Sequence, residues 1–269
     1  MHIRIKRWAG ALLLAGAVTP LASSAQVFRS PQTANLPTAE TLEKGWVVFE
    51  ISHRFLPPVS DGADALWGFD GPVQNRLGLS YAASDRVTLG VQRTNYNDNL
   101  ELNAKARLWE RDSETNAFAI AAMGGVAWNH DAPIGLGADE NESQAYGQLL
   151  LNGRFGEKVA IGLVPTLLRN PAIEAASPET VFVLGGHGQI YLSRSFSLLA
   201  EWIKSERRAG AEYDSGTFGI ELATRGHFFK IVLTNQTSMN PTQYLSGSSN
   251  SFDADNWSVG FNLQRRLKF

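Results

Sequence analysis

The chain closes on Asn256-Trp-Ser-Val-Gly-Phe-Asn-Leu-Gln-Arg-Arg-Leu-Lys-Phe269. Trp257, Val259, Phe261, Leu263 and Leu267 share one parity of this stretch, while Ser258, Gly260, Asn262, Gln264, Arg266 and Lys268 share the other. Successive side chains of a pleated strand point to opposite faces, so the segment has one apolar face and one wet face. A two-faced strand of this kind needs partners, and the rest of the chain should supply them.

Working back toward the N-terminus, the same period-2 pattern returns from Trp46 onward, and the punctuation between repeats alternates in kind. Tight turns at Ser84-Asp85, Arg111 to Asn116, Gly156-Glu157-Lys158, Ser193-Arg194-Ser195 and Thr224-Arg225-Gly226 alternate with generally longer polar connections. The longest of these runs from Gln236 to Asp255. The pattern predicts twelve strands, most with the roughly 9–11 residues that a tilted strand needs to cross hydrocarbon. An even number returns both ends of the sheet to one side, and in outer-membrane barrels short turns face the periplasm while long loops face outward. Trp46, Phe55, Tyr81, Trp128, Phe155, Tyr191, Phe196, Trp202, Trp257 and Phe269 lie near strand ends, as two interfacial girdles require. The expected fold is therefore all-β, a 12-stranded antiparallel transmembrane β-barrel of outer-membrane type spanning residues 45–269. A soluble sandwich or lipocalin-like barrel would share the alternation. The loop asymmetry, the even count and the terminal aromatic favour the membrane. The final strand resembles the one through which barrel-assembly machinery recognises its clients, with Phe269 as the assembly signal.

The N-terminus agrees. His2, Arg4, Lys6 and Arg7 precede an apolar run from Trp8 to Val18, then Pro20 and the small residues Ser23-Ser24-Ala25. This is the layout of a signal peptide over residues 1–25, and the run is about half of the ~20 residues that a spanning helix needs. Its removal takes the formal charge from -2 to -5, which argues against general nucleic-acid binding. The absence of cysteine excludes lipoprotein anchoring, disulfides and thiolate metal sites. The expected location is the outer membrane, with its lipids as surroundings. Residues 26–44 are not strand-like: Pro31, Asn35 and Pro37 interrupt them, and Thr38 to Lys44 before Gly45 reads as a short capped helix. This segment is expected at the periplasmic mouth or inside the lumen, as a plug. Strands five and seven offer it a smooth inner patch of Ala117, Ala119, Ala121, Gly125, Ala160 and Gly162.

Asn35-Leu-Pro-Thr-Ala-Glu-Thr-Leu-Glu-Lys-Gly45, Ile51-Ser-His-Arg-Phe55, Gly68-Phe-Asp70, Asn75-Arg-Leu-Gly-Leu79 and Asp85-Arg-Val-Thr-Leu-Gly90 together resemble a bacterial family of β-barrels catalogued only as a domain of unknown function. The resemblance is strongest over residues 33–111. It implies an outer-membrane-type barrel and no activity. Arg93 departs from the alternation, which places it on the lipid face near the outer head groups or at a bulge.

No motif for catalysis stands out. The histidines, His2, His53, His130, His187 and His227, show no metal-ligand spacing, and there is no Gly-x-Ser-x-Gly elbow. His187, in a Gly-rich luminal run, is the residue that a lipid hydrolase would use, and a luminal polar residue is its plainer reading. No cofactor is expected. The outer loops hold fifteen acids against three arginines, net -12, including Asp139-Glu140-Asn141-Glu142, where calcium is conceivable and a solvated rim is the plainer reading. Parity turns Arg54, Arg76, Lys105, Arg107, Arg154, Lys230, Arg266 and Lys268 inward against Glu50, Glu101, Glu201 and Glu221, a wall of net +4. These residues and His187 would line a pore for small solutes with a weak anion preference, as rings of Arg and Lys do. The alternative is a plugged structural barrel whose inward charges brace it. Deleting Phe269 alone is expected to leave protease-sensitive chain in the periplasm, read by the loss of the heat-modifiable band.

Overall fold

The computed structural model describes residues 26–131, 143–173, 178–208 and 210–268. Twelve strands follow one another: β1 Trp46–Pro58, β2 Val73–Ser84, β3 Val87–Thr94, β4 Asn99–Asp112, β5 Asn116–Asn129, β6 Ser143–Phe155, β7 Val159–Arg169, β8 Thr180–Tyr191, β9 Phe196–Lys204, β10 Ser215–Ala223, β11 His227–Thr234 and β12 Ser258–Lys268. Each pairs antiparallel with its sequence neighbours, and β1 pairs with β12 to close the ring. The seam keeps register from Trp46↔Lys268 to Arg54↔Gly260 without a break. A closed ring leaves no sheet edge, so every ladder can be completed from inside the structure, as a lipid environment demands.

Alternation decides which face each residue takes. In β7, Ala160, Gly162, Val164, Thr166 and Leu168 are buried while Ile161, Leu163 and Leu167 are exposed. The outer surface presents Leu77, Leu79, Leu102, Phe182, Ile190, Trp202, Phe218 and Leu233, an apolar area far beyond what water tolerates on a soluble domain. Facing acyl chains, it carries no such penalty. Short turns gather at one end of the barrel and longer connections at the other, which by the outer-membrane rule are the periplasmic and outer ends.

The alternation is broken in β4. Arg107 pairs with Ala121 and Trp109 with Ile120, so Leu108 is an extra, bulged residue. Leu108 and Trp109 both point outward, and Glu110 turns in to meet Arg107 at 2.9 Å. At Arg93 no bulge occurs. Leu77↔Arg93 and Arg93↔Leu100 belong to unbroken ladders, and the exposed guanidinium one residue from the end of β3 meets Asp98 at 2.5 Å.

The helix expected over Thr38 to Lys44 does not form. Its backbone groups are taken by the barrel instead. Ala39 N–H donates to Asn152 (2.5 Å), the Thr38 carbonyl accepts from Lys105 (2.9 Å), and Lys44 N–H donates to Asp85 (2.7 Å). A turn of helix would take these partners from the buried Asn152 and Lys105, a larger cost than the loss of a marginal short helix.

The last long connection divides at the barrel rim. One part enters the lumen, where α1, Pro241–Tyr244, is buried together with Met239 and Leu245. The other part lies outside, where Phe252 stacks on Trp202 (4.5 Å) and meets Trp257 (5.7 Å). Gly216 makes this possible, since a Cβ there would sit 2.6 Å from the Phe252 ring.

Replacing Glu110 by Ala removes the carboxylate that the bulge turns toward the buried Arg107. The expected cost is about 2 kcal/mol for one lost charge-assisted bond, read as an earlier urea midpoint of the refolded barrel.

Candidate functional site

The polar and charged inner wall converges on the lumen, and two segments of the chain occupy it. From the periplasmic end come residues 26–44. Within them a tight turn forms through Thr33 N–H to the Leu36 carbonyl (2.9 Å) and Thr38 N–H to the Pro31 carbonyl (3.0 Å). The turn aims successive amides at one carboxylate. Glu201 of β9 accepts Ala34 N–H at 2.6 Å, Asn35 N–H at 2.9 Å, Leu36 N–H at 2.9 Å and the Thr33 hydroxyl. Such a nest of backbone donors suits a buried anion, and Glu201 is only 4% exposed.

Cations of the wall hold the carbonyls of the same segment. Lys105 donates to Thr38 (2.9 Å) and Pro31 (3.3 Å), Lys230 to Gln32 (2.9 Å) and Arg107 to Ala39 (3.2 Å). Arg54 reaches Asn35 Oδ1 (3.1 Å) and Asn262 Oδ1 (2.8 Å), and Asn262 donates to the Ala34 carbonyl (2.7 Å). The segment contributes a carboxylate of its own: Glu40 accepts Val27 N–H at 2.8 Å, Phe28 N–H at 3.1 Å and Arg107 at 3.2 Å. Burial raises the Glu40 carboxyl above its ordinary value, and the Arg107 charge opposes that shift.

Apolar contact completes the fit. Val27, Phe28, Leu36 and Ala39 form one buried cluster with Ala117, Ala119, Ala121, Ala160 and Val164. Leu36 lies so close to Gly185 that a Cβ there would come within 2.8 Å. Phe28 stacks flat on His187 at 4.9 Å. The His187 ring also touches the Thr33 hydroxyl (2.9 Å) and the Asn152 amide (3.4 Å), and Gly162 leaves room for it. Thr33 is fully buried and His187 only 6% exposed, so the cluster is committed to holding the segment against the wall.

At the outer end the inserted loop is held in the same way. Arg76 binds the Met239 carbonyl and Glu50, Asn240 donates to Asn99 (2.6 Å), and Thr94 and Gln243 join at 2.9 Å. Glu101 accepts from Gln92 (2.7 Å) and the Tyr146 hydroxyl (2.9 Å) and from the Thr242 amide (3.4 Å). Between the two inserts remains a cavity of about 70 Å³, lined among others by Gly78, Ser80 and Gly90 on the wall.

Glu50, Arg54, Arg76, Glu101, Lys105, Arg107, His187, Glu201, Glu221 and Lys230 are thus all buried in the lumen. Lys230 and Glu221 pair at 3.3 Å. Arg154 and Arg266 are only partly buried. Arg154 faces Asp112 at 3.8 Å, and Arg266 donates to the Arg225 carbonyl (2.8 Å) over the Phe228 ring. Lys268 is exposed over Trp46. Residues 1–25, the acidic stretch Asp139 to Glu142 and Phe269 lie outside the described residues. Among the described residues, no group of His, Asp and Glu is placed to hold a metal ion. Sequence reasoning missed Glu40 and Glu110. A bulge conceals the second; the first has a signal only in the Thr-Ala-Glu triplet, which was read as a helix start.

A closed antiparallel ring with an apolar exterior and a polar, occupied interior defines a membrane-spanning β-barrel. The chain belongs to the family described as membrane bound beta barrel domain (DUF5777), whose model matches residues 28–267. That description names no catalytic activity. No relative among the curated proteins matches the chain. Among solved structures it is similar to the NanC porin (9% identity, covering 83% of this chain and 100% of that one, TM-score 0.49). It is also similar to the KdgM porin (8%, 83% and 99%, 0.46) and to outer membrane phospholipase A from Escherichia coli (10%, 84% and 90%, 0.41). These likenesses are too distant to carry a function across.

Replacing Glu201 by Gln keeps one acceptor oxygen but turns an amide group toward the Thr33–Leu36 donors. The N-terminal segment is expected to loosen, with amide hydrogens of residues 33–36 exchanging at least tenfold faster, a loss of ~1.4 kcal/mol or more in local stability. Mass-resolved hydrogen exchange on the refolded barrel reads this directly.

Proposed function

We propose that this protein is an outer-membrane channel for small polar solutes, shut in the state described by its N-terminal segment and narrowed at the outer end by its last loop. The observation that carries this reading is how the lumen is filled. Much of the wall has small inward residues, Gly78, Ser80 and Gly90 on one side and Ala117, Ala119, Ala121 and Ala160 on another, so the bore is blocked by inserts rather than by the wall. A barrel built only as a brace can fill its interior from its strands. Here residues 26–44 act as a plug held mainly by hydrogen bonds to wall side chains, and removing it leaves a wet tube.

The polarity of the opened tube follows from what each wall charge keeps. Arg76, Lys230 and Arg107 retain Glu50, Glu221 and Glu110. Arg54 and Lys105 lose acceptors on the segment and, among the described residues, have no carboxylate at ion-pair distance, while Glu201 loses its donors. Glu101 also has no cation at ion-pair distance among the described residues, so Arg54 and Lys105 stand against Glu101 and Glu201, and Arg266 near the end of β12 tips the balance to a weak anion preference. Export by residues 1–25 and delivery to barrel-assembly machinery through β12 and Phe269 belong to the same proposal.

Planar-bilayer recording tests it. The full mature chain is expected to conduct rarely, and a chain lacking residues 26–44 to show several-fold larger steady conductance with a reversal potential on the anion side in a KCl gradient. A trimmed, folded barrel that stays silent would replace this reading with that of a structural barrel.

A further inference from the structure

At the outer end, four inter-strand connections and the outer ends of β2, β5 and β6 line a cleft of about 330 Å³ whose floor is the inserted loop around α1. Its volume lies in the range of small-molecule sites. Its lining is unusual for its surroundings. The outer loops carry a net charge of -12, yet among the described residues no carboxylate lines the cleft, and the one charged residue of that lining, Arg208, is paired with Glu179 at 3.5 Å. The remaining polar lining consists of amides and hydroxyls, together with Tyr96.

Many of these groups are already committed to the fold. Gln144 donates to the Asn170 carbonyl (2.8 Å), Gln236 to the Gly247 carbonyl (2.7 Å) and Gln243 to the Tyr96 carbonyl (2.8 Å). Others are not. The side chains of Gln74, Asn97, Thr237, Ser238 and Ser249 line the cleft without a hydrogen-bond partner among the described residues, and the Gln74 carbonyl oxygen is buried in that condition. Buried polar atoms normally have partners, so an unpaired one on a side chain that lines a cleft is a group that a bound ligand or water can complete. Asn97 sits at φ 57°, a left-handed conformation that the Tyr96–Asp98 turn imposes.

We infer that this cleft is a binding site for a neutral saccharide of one or two rings. Amides and hydroxyls each donate and accept, which matches the paired donor and acceptor demands of neighbouring sugar hydroxyls. Tyr96, 46% exposed at the cleft, offers an aromatic face for the apolar side of a sugar ring. An anionic ligand is disfavoured by the net negative charge of the outer loops, and a cation finds no carboxylate on the described lining. Because Thr242 and Gln243 of α1 form part of the floor, a bound sugar rests on the loop that enters the lumen. The binding itself is independent of whether the barrel conducts.

Saturation-transfer NMR on the full mature chain, refolded in a detergent without sugar head groups, tests the assignment with maltose, lactose, cellobiose and glucuronate as probes. Transfer to at least one neutral disaccharide and none to glucuronate is expected. The variants Gln74→Ala, Asn97→Gly and Ser249→Ala should each weaken binding about fivefold, as expected for one lost hydrogen bond. Glycine at position 97 keeps the backbone conformation, and the exposed Ser249→Ala serves if the buried Gln74 variant does not fold. Absence of transfer at tens of millimolar sugar, affinity unchanged in all folded variants, or glucuronate binding as strongly as the disaccharides would overturn it.

Discussion

In hydrocarbon, a backbone N–H or C=O without a partner costs several kcal/mol, and no water is available to relieve it. The whole architecture follows from that constraint. Twelve strands close on themselves because a sheet with edges would leave two rows of such groups facing acyl chains. Closure in turn creates an interior, and the interior inherits every side chain that lipid rejects. What would be a hydrophobic core in a soluble domain is here a chamber lined with Glu50, Arg54, Arg76, Glu101, Lys105, Arg107, Glu201, Glu221 and Lys230.

That chamber has its own accounting of partners. Wall pairs such as Lys230–Glu221 neutralise part of the charge, but Glu201 and Lys105 are satisfied chiefly by groups brought in from residues 26–44, and Arg54 shares itself between the wall and Asn35. The insert and the wall are therefore complementary at the level of single hydrogen bonds: carboxylates meet N–H groups and cations meet carbonyls. Segments held this way resist slippage, and their release breaks many polar bonds at once together with the packing of Val27, Phe28, Leu36 and Ala39.

The barrel was legible because its signal repeats. Alternation, turn length and an even count are each weak in one hairpin and compelling over twelve strands, and β1 to β12 fall within about two residues of the positions read from sequence. The failures were local. Leu108 interrupts parity with no Gly or Pro to announce it, which hid the inward turn of Glu110. Thr38 to Lys44 has the caps and composition of a helix, but its partners lie on β2's turn and on β4 and β6, far away in sequence. Nor does alternation report pairing. It assigns Glu50, Arg54 and Arg76 one parity but gives no sign that two chain segments already answer such charges.

The fastening of the N-terminal turn across β1 and β12 bears on how the ring finds its seam. Lipid accepts any register that keeps apolar residues outward, so sliding β12 by two residues against β1 leaves the outer face equally greasy. The interior does discriminate. Asn262 must reach the Ala34 carbonyl while Arg54 beside it reaches both Asn262 and Asn35, and Gly260 must lie where a Cβ would collide with Arg54. A two-residue slip breaks all of these together. The N-terminal segment thus serves as an internal gauge, rejecting misaligned closures that the membrane itself has no means to detect.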